Sequence, residues 1–116
     1  MQNTVDLSSW RVTEPWIMNT DKHLSSSNAP EIEEDVRLCL ANSPDTLTLN
    51  CAQLVYMTGA GVRALLNMAR MAKQKDSIFT LKNLSGQPRE IFYACGADAF
   101  ITLNDATAFR SHIQAA

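Results

Sequence analysis

The chain has 116 residues, a formal net charge of −2 and 46% hydrophobic residues. That length fits one domain, residues 1–116, around one core. The acidic balance leaves no basic footprint for nucleic acid, and no apolar run approaches the roughly 18 residues that cross a bilayer.

Val5, Leu7, Trp10 and Val12 predict a weak first strand, broken at Glu14-Pro15. Trp16-Ile17-Met18 is a second short apolar run, placed to pair with the first. Asp21 to Ser27 is polar, with Ser25-Ser26-Ser27 in a row, and reads as a loop or as the rim of a binding site. Asn28-Ala29-Pro30-Glu31 has the form of a helix start, with Asn28 as cap, Pro30 in the first turn and Glu31 as in a capping box. Ile32, Val36, Cys39 and Leu40 then share one face, while Glu33, Glu34 and Arg37 point away. The acidic run Glu31 to Asp35 complements a helix dipole and needs no metal to explain it. Asn42-Ser43-Pro44 ends the helix.

Thr46 to Lys75 gives the strongest local signal. Thr46-Leu47-Thr48-Leu49-Asn50-Cys51 alternates polar and apolar residues, the period of a strand with one buried face. After Thr58-Gly59-Ala60-Gly61 the period changes, and Val62, Leu65, Leu66, Ala69 and Ala72 recur at threes and fours, as in an amphipathic helix. Arg63, Asn67, Arg70 and Gln74 fall on the other side, with Ala64 and Met71 beside them. Phe79 and Leu81 alternate with Thr80 and Lys82 in a further strand over Ser77 to Leu84. Ser85-Gly86-Gln87-Pro88 turns into a short helix, Arg89 to Cys95, capped by Gly96. Ala99 to Leu103 reads as a last strand, and Asn104-Asp105 as the cap of a final helix with Ala106, Phe109 and Ile113 inward. Strand–helix–strand around the centre implies a parallel pair. The expected fold is α/β, a mixed sheet of four or five strands with about four helices mostly on one face.

Little catalytic chemistry can be built from these residues. Gly59-Ala60-Gly61-Val62-Arg63-Ala64 spells G-x-G-x-x-A after a strand and before a helix, a dinucleotide-binding pattern. The motif sits mid-chain, however, and the next strand closes at Lys82-Asn83-Leu84 without the acidic residue a ribose needs. Cys39, Cys51 and Cys95 form no C-x-x-C pair and fit reduced thiols in a cytoplasm. Cys51 and Cys95 lie in apolar patterns, where thiols are inert core. His23 and His112 have no spaced partners, so no zinc site is expected. The first residues carry neither the basic nor the apolar part of a signal peptide. The expectation is a cytoplasmic protein, not an enzyme, with no cofactor, metal or inserted membrane segment.

At the glycine turn the chain resembles the STAS domain, the family of bacterial anti-sigma-factor antagonists and of the cytoplasmic tails of sulfate transporters. The family has a strand ending in Asp, then, eight residues on, Asp-Ser-Ser-Gly opening a leucine-rich helix. Here Leu47-Thr48-Leu49-Asn50 is followed at that spacing by Thr58-Gly59-Ala60-Gly61-Val62-Arg63-Ala64-Leu65-Leu66. Asn28 to Glu31 resembles the family's first-helix start, and Leu84 to Pro88 with Gly96 its third-helix region. The resemblance spans Trp16 to Ile113 and implies a binding module.

In the antagonists, a kinase phosphorylates the second Ser of that motif and ends binding. The matching position is Ala60, which has no hydroxyl, so no phosphoacceptor is expected. Gly59 matches the first Ser, Thr58 the Asp, and Asn50 the Asp that ends the strand, while Ser25 stands where an Asp often follows the second strand. The resemblance therefore implies docking of a protein partner, an anti-sigma factor or sensor, without a serine switch. A subunit bracing the ATPase of a bacterial ABC lipid-transport complex, or a nucleotide-binding STAS domain, is the alternative. The expected partner surface is Thr58, Gly59, Ala60, Gly61, Val62 and Arg63, with Asn67 and Met71.

Overall fold

The computed structural model describes residues 11–14 and 17–104. Its strands are β1 (Arg11–Glu14), β2 (Ile17–Asn19), β3 (His23–Leu24), β4 (Thr46–Asn50), β5 (Tyr56–Met57), β6 (Ile78–Lys82) and β7 (Thr102–Leu103). Its α-helices are α1 (Ala29–Leu40), α2 (Gly59–Gln74) and α3 (Gly86–Ala94), and a 3-10 turn covers Ala97–Ala99. The main sheet runs β1-β2-β4-β6-β7, and β3 pairs with β5 in a second, two-stranded sheet. β1 is antiparallel to β2, and every other pair in the main sheet is parallel. The mixed sheet expected from the alternating periods is present, with Thr46–Asn50 at its centre.

Register explains why this sheet holds its helices on one face. Met18, Leu49, Leu81 and Leu103 lie side by side across four strands, and Leu47 lies beside Phe79. These residues join Ile32, Val36 and Leu40 of α1 and Val62, Leu65 and Met68 of α2 in one core. Each fully buried leucine there is worth roughly 1.5–3 kcal/mol over an exposed one. On the opposite face the aligned row is Ile17, Thr48, Thr80 and Thr102. Thr80 is buried, and its hydroxyl lies 3.0 Å from that of Thr48, so its alternation with Phe79 and Leu81 marks the face and not exposure to water.

Several sequence expectations change. The stretch 21–27 is not all loop, because His23–Leu24 forms β3, in register with Tyr56–Met57. A two-residue strand is too short to show a period, and only the full burial of Leu24 marks it. Asn28 makes no side-chain cap on α1. Its amide instead accepts from Ser25 N at 2.9 Å and donates to His23 O at 3.0 Å, which braces the loop. α3 begins at Gly86, three residues before the expected start, and Gly96 follows it with φ 74°, as a capping glycine should. Of the strand expected over Ala99 to Leu103 only Thr102–Leu103 forms, as β7, while Ala99 closes the 3-10 turn.

The buried side of α2 also lies differently. Ala64 and Met68 are 1% and 0% exposed, whereas Leu66 and Ala69 are half-buried. Met71, expected on the outer side, is half-buried and packs partly against the core. The helix touches α1 and α3 as well as the sheet, so its covered arc is wider and rotated from the one a single packing surface would give. Among the described residues there are three α-helices. The expected fourth, starting at Asn104-Asp105, and the first part of the strand expected over 5–12 lie outside them.

Candidate partner-binding surface

The turn after β5 is built by contacts from three other segments. Val55 N and Tyr56 N both donate to Lys22 O, at 2.8 and 3.2 Å. Thr58 N donates to Leu24 O at 3.1 Å, which ties the turn to β3. On the other side of β5, the Gln87 amide of α3 accepts from Met57 N and donates to Met57 O, both at 2.8 Å. One side chain thus satisfies both backbone groups of Met57, as a neighbouring strand would. Thr58 has extended backbone, and its Oγ1 accepts from Gly61 N at 3.2 Å, an N-cap that fills one open donor of α2.

The glycines in the turn have different jobs. A Cβ on Gly61 would lie 2.4 Å from Leu24 O and 2.8 Å from Met57 Cγ, so this glycine allows α2 to approach β3 and β5. A Cβ on Gly59 would meet nothing within 4 Å. The G-x-G-x-x-A spelling is therefore accounted for by backbone packing at its second glycine and by a threonine cap, with no phosphate cradle required.

The eight residues expected at the partner surface separate by exposure. Gly59 and Arg63 are exposed, and Thr58, Ala60, Asn67 and Met71 are half-buried. Gly61 and Val62 are buried and support the surface from beneath. Two residues that the sequence did not single out, Val55 and Tyr56, are 66% and 53% exposed beside them. In the run Leu54-Val55-Tyr56-Met57 only the outer pair is buried, a spacing of three that lacks the strand period although the run ends in β5. Ser25 follows Leu24 directly, at the rim of the turn. Its hydroxyl lies 2.9 Å from that of Ser27, which lies 3.4 Å from His23 Nε2. These exposed groups stabilise the loop among themselves.

Asn50, at the end of β4, is held in a chain of amides. It donates to Asn19 Oδ1 at 2.9 Å and accepts from Asn83 Nδ2 at 2.8 Å. A carboxylate in its place could accept from Asn83 but could not donate to Asn19. Cys39 and Cys51 offer no activated nucleophile. Burial pushes Cys51 up to about 12 and raises Cys39, the latter with help from Asp35. Cys95 is exposed. Among the described residues no group of His, Cys, Asp and Glu could hold a metal ion, and no helix is long and apolar enough to cross a membrane.

The same architecture occurs in solved structures. The Bacillus cell fate determinant SpoIIAA in its phosphorylated form superposes with a TM-score of 0.62 at 17% identity, over 92% of this chain and 97% of that one. An anti-sigma factor antagonist from Mycobacterium paratuberculosis gives 0.67 at 16% identity, over 75% and 74%. A putative anti-sigma factor antagonist from Thermotoga maritima gives 0.68 at 11% identity, over 88% and 91%. No protein of curated function matches the sequence. At such identities the superpositions establish the fold, and the family rests on the sequence itself: the STAS domain profile matches residues 11–116, and the chain belongs to the STAS domain family.

Proposed function

We propose that this chain is a non-enzymatic protein-binding module that acts like an anti-sigma-factor antagonist and docks a regulatory partner without a serine switch. The surface runs from Val55 and Tyr56 through Thr58, Gly59, Ala60 and Arg63 to Asn67 and Met71. The reading rests on Ala60, which occupies the position matching the family's phosphoacceptor, in the first turn of α2. The nearest hydroxyl in that turn, on Thr58, already accepts from Gly61 N as a cap. The partner suited to such a surface is an anti-sigma factor or sensor of the kinase-like class, met in the cytoplasm.

Ala60→Asp tests the surface. A carboxylate in a helix's first turn is neutral or stabilising by about 0.3–1 kcal/mol, so the melting temperature should hold. At a docked interface the same charge is desolvated without a counter-charge, at a cost of several kcal/mol. Affinity capture from the source cell should return a kinase-like regulator with the parent chain and lose it with the variant. Incubation of the purified pair with ATP should leave the chain unlabelled. An unchanged capture with Ala60→Asp places the docking site elsewhere, and stoichiometric label on Thr58 with loss of binding overturns the switch-free reading.

A further inference from the structure

The first and second helices carry opposite charge. Every charged residue of α2, namely Arg63, Arg70 and Lys73, is a cation, while α1 sets Glu31, Glu33, Glu34 and Asp35 against Arg37 alone. α1 and α2 are neighbours, and Glu34 pairs within its own helix with Arg37. An open groove of about 360 Å³ runs beside the C-terminal half of α2, lined by Leu66, Ala69, Arg70, Lys73 and Phe100. Phe100 is 75% exposed, and among the described residues no carboxylate lies within ion-pair distance of Arg70 or Lys73. The volume is at the low end for small-molecule pockets. Its course along a helix suits the side chains of a second helix better than an enclosed ligand.

The surface of α1 is the complement of this groove. Leu38 is 48% exposed, and Glu34 and Glu31, four and seven residues before it, are exposed too. In the groove the cations Arg70 and Lys73 stand four and seven residues after Leu66. Steps of four and seven keep a helical face, at about 6 and 10 Å along the axis. The two ladders match in spacing and run in opposite directions along their helices. Laid antiparallel, they bring Leu38 onto Leu66, Ala69 and Phe100, with Glu34 at Arg70 and Glu31 at Lys73.

We propose that the groove docks α1 of a second copy of this chain in that antiparallel register. The two surfaces differ, so the contact is heterologous, and each added copy leaves one groove and one α1 free. Glu34 exchanges or shares its exposed partner Arg37 at little cost. The contact is a single helix pair, so the association is weak and depends on concentration. The groove borders the far end of the surface proposed above, since Arg70 donates to Asn67 Oδ1 at 3.5 Å, but the association is between copies of this chain and its test does not use the partner proposed there.

Sedimentation velocity of the full chain, over roughly a hundredfold range of concentration, tests this. The mass should rise with concentration at low salt and fall back at about 1 M salt, where screening acts within about 3 Å. Phe100→Ser and Leu38→Asp should each remove the rise, with circular dichroism confirming the fold. The decisive pair is Glu31→Lys/Glu34→Lys and Arg70→Glu/Lys73→Glu. Each charge-reversed chain alone should stay monomeric, and an equimolar mixture should associate again, because each then offers what the other lacks. A parent chain that is monomeric throughout overturns the proposal, whether residues 105–116 or an unrelated protein covers the groove. So does an association that survives Phe100→Ser, or a mixture of reversed chains that fails to associate.

Discussion

Gly61 and Gly59 are two residues apart in one helical turn, and substitution should separate them by sign. At Gly61 an added methyl runs into the Leu24 carbonyl, which is backbone held by its bond from Thr58 N and cannot step aside. Gly61→Ala should cost about 1–3 kcal/mol, as overpacking of a closed site does. Gly59→Ala places the same methyl in open space on a helical residue and should stabilise by up to about 0.5–1 kcal/mol. Urea unfolding of both variants measures the contrast. Equal effects would mean that the close approach of α2 to β3 does not constrain Gly61. The sequence was legible here to an uneven degree. The cap at Thr58 is a local one, because its partner lies three residues ahead in the same turn. Asn28 had an equally good local spelling, but its amide is spent on Ser25 and His23. That use depends on β3, and β3 exists only through a partner strand more than thirty residues away.

Elements with a long period were read correctly, and those held by one side chain were not. β4, α2 and β6 each repeat their pattern long enough to be seen. β5 has two residues, and half of its pairing comes from Gln87. Sequence reasoning placed Gln87 in a turn before α3 and had no means of aiming it at Met57. Gln87→Ala should leave a part-buried N–H and C=O without partners, at a cost of about 1–3 kcal/mol. The same change should raise hydrogen exchange at Met57 and Thr58 while β4 and β6 stay protected. Uniform loss of protection would show that β5 is not a separate local unit.

At the scale of the whole molecule, the most informative titrating group is Cys51, which is 1% exposed. Its folded thiol is pushed from the usual 9.0 to about 12 by burial alone. A raised acid pKa favours the fold while the thiol stays neutral. Its contribution is therefore complete below about pH 9 and is lost progressively from there towards about pH 12. The whole effect is at most about 4 kcal/mol. Urea unfolding under reducing conditions should show the parent losing stability relative to Cys51→Ala as pH rises from about 8 to about 11. Parallel curves would show that the thiol is not desolvated as its burial implies. Fold class was legible at this scale because strand and helix periods alternate along the chain. The position of the turn's supports was not, since β3, β5 and Gln87 meet only after the sheet has formed.

The parallel order of the main sheet also governs how this chain reaches its native state. Thr46 lies beside Ile78, a separation of 78 − 46 = 32 residues, and Ile17 lies beside Thr48, 48 − 17 = 31 residues away. Neither pair can start from a hairpin. A loop of that length must close before the first ladder bond compensates for the lost chain entropy. Such non-local pairing sets folding in the slower range, about milliseconds to seconds, and not in microseconds. Until α2 brings β6 alongside, β4 keeps one edge open, so the strand that ends at the centre of the sheet is exposed to mispairing during synthesis.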